Sequence, residues 1–261
     1  MARRRRLDTE LVRRGLVDSR SAAQDVIARG LVVVGDVPTP RAATLVDPAV
    51  AISLVGAPKR FVSRAGDKLD GALDRLAVDV AGRGWLDAGA SMGGFTDCLL
   101  QRGARGVIAV DVGYGQLDLR VRDDPRVTVL ERKNVRELKP EDVPWVADGV
   151  VADLSFISLT VVLPALRRCA TDAADFVLLV KPQFEAGRAA VGSGGVVRDP
   201  DEWRAAIERV VRAAADLDLG LAGATYSEPP GPAGNREFFV HLQKDATRKL
   251  DVIDGALQEA P

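Results

Sequence analysis

The chain has 261 residues, is 47% hydrophobic and 28% charged, and carries a net charge of −1. This length suits one large domain or a small one joined to a larger one, and the composition is that of an ordinary globular protein with a sizeable core. No apolar run approaches the roughly 20 residues a membrane-spanning helix needs, and the arginines of MARRRRLDTE lead into no secretory signal; one histidine and two isolated cysteines, Cys98 and Cys169, argue against a zinc site or a disulfide framework.

A cytoplasmic protein without a metal is therefore expected, with the cysteines acting as small buried apolar residues. The near-neutral total hides an asymmetry. Residues 1–68 hold 13 Lys/Arg against 7 Asp/Glu, whereas residues 69–261 hold 23 against 30. A basic module joined to an acidic one suggests a polyanionic partner, nucleic acid first.

In residues 7–30, LDTELVRRGLVDSRSAAQDVIARG, apolar positions recur at helical spacing, which predicts two helices ended by Gly15 and Gly30, the second capped by Ser19 or Ser21. LVVVGDVPTP and ATLVDPAVAISLV predict short strands, so that residues 1–60 form a compact α+β module. The stretch VGAPKRFVSRAG, with Gly56, Pro58 and a local basic cluster, predicts a linker ending over residues 61–67.

From residue 82 the pattern alternates as in a parallel α/β domain, over residues 68–245. The strand candidates are WLDAGA, GVIAVDV, VTVLE, DGVVADLSF and FVLLVKPQ, with helices such as FTDCLLQRG and SLTVVLPALRRCA between them. After the helix DPDEWRAAIERVVRAAADLDL come GLAGATYS and REFFVHLQ, close enough to form an antiparallel pair. Residues 246–261 read as a polar helix or tail.

The first large strand ends in WLDAGASMGGFT, a small-residue turn that opens a helix; such turns bring backbone N–H groups to a ligand in open α/β sheets, although tight turns also carry glycines for steric reasons. The second strand ends in Asp111, 24 residues beyond Asp87, where an acidic residue meets ribose hydroxyls in nucleotide-binding folds. The turn lacks GxGxxG and GKS/GKT, which argues against dinucleotides and nucleoside triphosphates. An adenosine cofactor without phosphates fits better, S-adenosylmethionine being the common one.

Four ionisable residues sit near element edges of this apolar framework: Lys68 in SRAGDKL, Asp153 in VADLSF, Lys181 in VKPQFE and Glu237 in GNREFF. A lysine ending an apolar strand is partly desolvated, which favours a neutral amine able to take a hydroxyl proton. Salt bridges at the sheet edge are the alternative, and spacing does not show whether the four converge.

The whole chain resembles the TlyA family of ribosomal RNA ribose 2′-O-methyltransferases, related to the FtsJ/RrmJ methyltransferases. The resemblance runs from RRRRLDTELVRRGLVDSR through WLDAGASMGGFT, DVGYGQL, VLERKNVREL, VADLSFISL, VKPQFE and GGVVRDP to GPAGNREFF. It implies an S4-type RNA-binding domain over residues 1–60, with Arg4, Arg6, Arg14 and Arg20 toward RNA, and a Rossmann-like methyltransferase sheet behind it. It also implies a catalytic tetrad of Lys68, Asp153, Lys181 and Glu237, with Lys181 activating the ribose hydroxyl, and an S-adenosylmethionine site built from Asp87, Gly89, Ala90, Ser91, Gly93, Gly94, Phe95 and Asp111. Met92 and Ala65 depart from residues often found in the family, and neither change removes a functional group. The implied substrate is a cytidine in 23S and also 16S ribosomal RNA. A monomer that needs neither membrane nor metal is expected beside it.

Three other classes are open to the residues. A base methyltransferase would want an Asn/Asp-Pro-Pro-aromatic motif where this chain has DLSF. An inert RNA-binding factor need not keep both lysines and both carboxylates. A membrane-active haemolysin, a label that relatives have carried, would want an extended amphipathic basic helix.

Overall fold

The structure is a computed structural model, and it describes residues 4–17, 19–35, 37–38, 41–54, 60–187, 192–231, 234–246 and 251–259. The chain forms two compact units, Met1–Lys59 and Arg60–Pro261.

The small unit runs β1 (Arg5–Arg6), α1 (Leu7–Arg13), α2 (Arg20–Ala28), β2 (Val32–Val34), β3 (Val37–Pro38), β4 (Leu45–Val46) and β5 (Ile52–Leu54). Ser19 caps α2 by accepting from the Ala22 N–H at 3.2 Å, and Gly15 and Gly30 follow the helices at φ +66° and +70°, a left-handed conformation that suits glycine. Strand β2 pairs antiparallel with β3 and β5, and β1 pairs with β4. Leu7, Leu11, Ile27, Val32 and Val46 fill the core.

The large unit begins with α3 (Arg64–Arg75), β6 (Gly84–Ala88), α4 (Gly94–Gln101), β7 (Gly106–Val110), α5 (Leu119–Arg122), β8 (Val127–Leu130), β9 (Ala147–Ala152) and α6 (Leu159–Arg168). It continues with β10 (Ala170–Val180), α7 (Pro182–Glu185), α8 (Pro200–Ala215), β11 (Leu219–Tyr226), β12 (Phe238–Lys244) and α9 (Asp251–Gln258). Its seven strands lie in the order β11-β12-β10-β9-β6-β7-β8. Strand β12 is antiparallel to both neighbours and the remaining pairs are parallel. Strands β6 and β7 are buried along their whole length, as sheets covered on both faces require. One face packs Leu69 and Leu73 of α3 and Leu99 of α4; the other packs Leu163 and Leu166 of α6, Ile207 and Val210 of α8, and Ile253 of α9.

From β6 the chain goes first to one side, β7, and later to the other, β9. The crevice beyond the C-terminal ends of these strands is where ligands bind in open α/β sheets. The glycine turn, Asp111 and Asp153 all lie there.

One boundary differs from the sequence expectation. Residues 61–67 are not a linker, because Phe61 and Val62 are core residues at 1% and 7% exposure and α3 starts at Arg64. The Gly56 and Pro58 positions lie outside the described residues. Within the expected C-terminal segment Asp251–Gln258 form α9, the helical alternative, which buries Ile253 and Ala256 against the sheet.

Candidate active site

The turn after β6 is pinned at both sides. The Gly89 and Ala90 N–H groups donate to the Val110 carbonyl at 2.8 and 3.1 Å, and the Asp153 N–H donates to the Ala88 carbonyl at 3.0 Å. Gly89 has φ +87°, and a Cβ there would lie 2.6 Å from the Asp153 carbonyl oxygen. Glycine is thus demanded by the approach of β9 itself. Gly94 is equally constrained, since its Cβ would meet Ser63 Oγ at 2.2 Å.

Asp111 fastens the neighbouring loops. Its Oδ2 accepts from the Ser91 N–H at 2.8 Å and its Oδ1 from the Gly113 N–H at 2.6 Å. Each carboxylate oxygen keeps a second lone pair. Gly89, Ser91, Asp111, Asn134, Asp153, Ser155 and Phe156 are among the residues lining a cavity of about 530 Å³, and Ala90 joins Ser91 and Asp111 along an adjoining recess.

Asp87, Gly93, Gly94 and Phe95 do not line that cavity. Asp87 is fully buried; its Oδ2 accepts from Thr96 Oγ1 at 2.6 Å, and its Oδ1 has no partner among the described residues. Burial pushes its carboxyl up to about 7, and the charges of Asp153 and Asp111 act in the same direction, against the Thr96 hydrogen bonds. Gly93 precedes α4 at φ +91°, and Phe95 packs its ring 6.0 Å from that of Phe239. These four residues carry the frame behind the cavity.

The four tetrad candidates fall into two ion pairs. Lys68, inside α3 and not at an element edge, donates from Nζ to Glu237 Oε2 at 2.6 Å, with side-chain exposures of 9% and 1%. Lys181, the residue after β10, puts Nζ in contact with Asp153 Oδ1 and donates to Ser155 Oγ at 3.2 Å. Gln183 Nε2 donates to Glu237 Oε1 at 3.2 Å.

Lys181 and Glu237 line a second cavity of about 480 Å³ with Gln183, Phe184, Asn235 and the glycines 194, 195 and 231. Ser155 and Phe156 line both cavities, so the two adjoin. Phe156 is 90% exposed at φ +63°, and its ring lies 5.0 Å from that of Phe184. Sequence reasoning missed Asn134, Ser155, Phe156, Gln183 and Asn235, although all lie within quoted motifs. A cavity-facing role has no signature in spacing.

The arginines expected to face RNA divide. Arg4 is exposed. Arg6 and Arg20 both donate to Asp8 Oδ2, at 2.9 and 3.0 Å, while Arg14 donates to Glu10 at 2.8 Å and to the carbonyls of Val50 and Pro48 at 2.8 Å. Asp8 and Glu10 are wholly buried, and hydrogen bonds from Arg6 to Asp8 and from Arg13 to Glu10 hold both carboxyls well below the usual range. Arg14, with its side chain 19% exposed, belongs to the fold of the small unit.

Among the described residues no group of three or more acidic, histidine or cysteine side chains could hold a metal, and no helix is long and apolar enough to cross a membrane.

The FtsJ-like methyltransferase family matches residues 61–244, and the S4 domain matches residues 5–49. The 16S/23S rRNA (cytidine-2′-O)-methyltransferase TlyA of Mycobacterium tuberculosis is 50% identical, with the whole of both chains covered. Hemolysin A of Brachyspira hyodysenteriae is 37% identical over 91% of this chain and 99% of its own. A Streptococcus thermophilus structure carrying a hemolysin label aligns at a TM-score of 0.79 and 36% identity, over 99% of this chain and 98% of the other. A methyltransferase from Listeria monocytogenes, at a TM-score of 0.52 and 14% identity over 70% of this chain and all of its own, shares the fold. The chain belongs to the FtsJ-like methyltransferase family, in its TlyA branch, with an S4 domain ahead of the methyltransferase domain.

Proposed function

We propose that this protein uses S-adenosylmethionine to methylate the ribose 2′-oxygen of a cytidine in 23S and 16S ribosomal RNA in the cytoplasm, with Lys181 taking the hydroxyl proton. The observation that carries the proposal is the Lys181–Asp153 contact at the junction of two adjoining cavities.

The larger cavity fits the cofactor by its chemistry. Its lining includes the carboxylates of Asp111 and Asp153 and no lysine or arginine, which suits a cationic sulfonium and ammonium and disfavours phosphates. Its volume lies within the range of small-molecule sites. Asp111 would accept from the ribose hydroxyls, and Gly89, Ala90 and Ser91 would border the methionine portion. When bound, S-adenosylmethionine supplies a methyl group on a positively charged sulfur, already activated for transfer.

The chain's own task is to aim a poor nucleophile and remove its proton. In its neutral amine form Lys181 would take the proton of the 2′-hydroxyl while holding that oxygen toward the transferable methyl group. Asp153 holds that nitrogen in place. The buried Lys68–Glu237 pair, anchored by Gln183, would fix the ribose side of the smaller cavity.

The test maps ribose methylation on ribosomal RNA from cells with and without the protein, then repeats the transfer with purified variants. Lys181→Ala should keep cofactor and RNA binding and lose transfer by about 10²–10⁴-fold, the usual weight of a positioned base. Lys181→Arg should fail as well, since guanidinium does not give up its proton. Methyl found on a base atom, or near-normal turnover in Lys181→Ala, defeats the proposal.

A further inference from the structure

Lys181 and Asp153 stand at the ends of separate strands, β10 and β9. The segments that follow them are joined by the side chain of Glu185. Its Oε2 accepts from Ser158 Oγ at 2.5 Å and its Oε1 accepts from the Leu159 N–H at 2.7 Å. Ser158 is the N-cap of α6, the helix reached from Asp153 through the loop LSFI, and Glu185 is the last residue of α7, which starts directly after Lys181.

The backbone completes the brace. The Phe184 and Glu185 N–H groups donate to the Lys181 carbonyl at 2.8 and 3.2 Å. Arg209 of α8 donates to the Glu185 carbonyl. Phe184 and Phe156, one from each segment, pack with ring centroids 5.0 Å apart and planes tilted by 47°. Glu185 is itself 7% exposed, and a buried carboxylate is costly unless its partners are well placed. Burial pushes its carboxyl above the ordinary range, against the pull of the Ser158 and Leu159 hydrogen bonds.

We infer that Glu185 is a positioning residue, which locks the turn behind Lys181 to the N-terminus of α6 and so fixes the Lys181 amine against Asp153. The inference rests on the proposed role of Lys181 as the proton acceptor. The competing explanation is that Glu185 only caps α6 and so adds stability. The two part on kinetics, because a helix cap contributes nothing to kcat well below the unfolding temperature.

The experiment measures kcat and KM for ribosomal RNA methylation, cofactor affinity by calorimetry and the thermal midpoint, for wild type, Glu185→Ala, Glu185→Gln and Lys181→Ala. Glu185→Ala should lower kcat by about a hundredfold, the effect of a misplacement near 1 Å, with KM and cofactor affinity within about threefold of wild type. Glu185→Gln should restore most of kcat, because its carbonyl oxygen still accepts from Leu159 N–H and its amide can donate to Ser158 Oγ. Wild-type kcat in Glu185→Ala, while Lys181→Ala is inactive, overturns the inference and leaves the role of Lys181 standing. Normal turnover in Lys181→Ala instead removes the base assignment itself. If Glu185→Ala no longer binds cofactor, Ser158→Ala, which deletes one arm of the brace, decides: a lowered kcat with intact cofactor affinity supports the inference, and an unchanged kcat overturns it.

Discussion

Lys68 Nζ meets Glu237 Oε2 at 2.6 Å, across 169 residues of chain, and this buried ion pair joins the helix ahead of the sheet to the strand inserted last. Two charges taken out of water stabilise a fold only when both remain, since the desolvation cost of each is repaid by the other. Lys68→Met or Glu237→Leu alone should therefore destabilise the large unit by about 3–5 kcal/mol, whereas the double variant should recover a large part of that loss. Denaturant unfolding of the three variants gives the coupling. Additive losses would mean that the pair is not an energetic unit. All three should lack methyl transfer.

Asp87 leads to a pH dependence of stability. Its folded-state carboxyl titrates at about 7 against an ordinary value of 3.8, because burial disfavours the charge. Between those values the native state holds a proton that the unfolded chain has released, so this group's contribution falls by up to about 1.4 kcal/mol per pH unit as pH rises through the window. Asp87→Asn, neutral at every pH, should therefore gain thermal stability relative to wild type between pH 4 and 7, with the gain levelling off above. A pH-independent difference in midpoint would show that Asp87 is ionised throughout.

Asp111 serves two loops through its hydrogen bonds to Ser91 and Gly113, and the proposed cofactor site depends on the same carboxylate. Losing hydrogen bonds to a charged group costs about 1.5–3 kcal/mol, so Asp111→Ala should weaken S-adenosylmethionine binding roughly ten- to hundredfold in calorimetry. Asp111→Asn, which keeps one acceptor oxygen, should fall between. Wild-type affinity in Asp111→Ala would take the residue out of the site.

The parallel core was legible in the sequence because strands covered on both faces read as near-continuous apolar runs, as WLDAGA and GVIAVDV do apart from Asp87 and Asp111. The turn at Gly89 was legible as a turn, but its glycine answers to the Asp153 carbonyl, a contact that depends on which strand lies beside β6. Residues 61–67 misled for the opposite reason. Their charge and small residues read as a connector, while Phe61 is held by a core that assembles from α3 and α4. The pairing of Lys68 with Glu237 could not be read from spacing, because a helix and a distant strand supply its halves. Glu185 has no signature of its own in VKPQFE, because the serine and the backbone N–H that bond it belong to α6.

The basic character of the small unit also separates into two kinds of arginine. Arg14 bonds Glu10 and two backbone carbonyls and is largely enclosed, whereas Arg4 is exposed. Arg14→Ala should therefore lower the unfolding midpoint of the small unit. Arg4→Ala should leave that midpoint unchanged and weaken ribosomal RNA binding. If Arg4 meets a phosphate, its loss should also reduce the slope of log affinity against log salt by about one. The stability of the small unit has its own acid limit. The Asp8 and Glu10 carboxyls are depressed in the folded state by hydrogen bonds from Arg6 and Arg13, so their contribution is complete above the ordinary carboxylate range and is lost as pH falls through their folded values, about 2 for Glu10. Circular dichroism at pH 7 and 3, with filter binding over a salt series, separates the roles. An unchanged salt slope in Arg4→Ala, or an unchanged midpoint in Arg14→Ala, would reverse the division between an arginine that meets RNA and one that builds the domain.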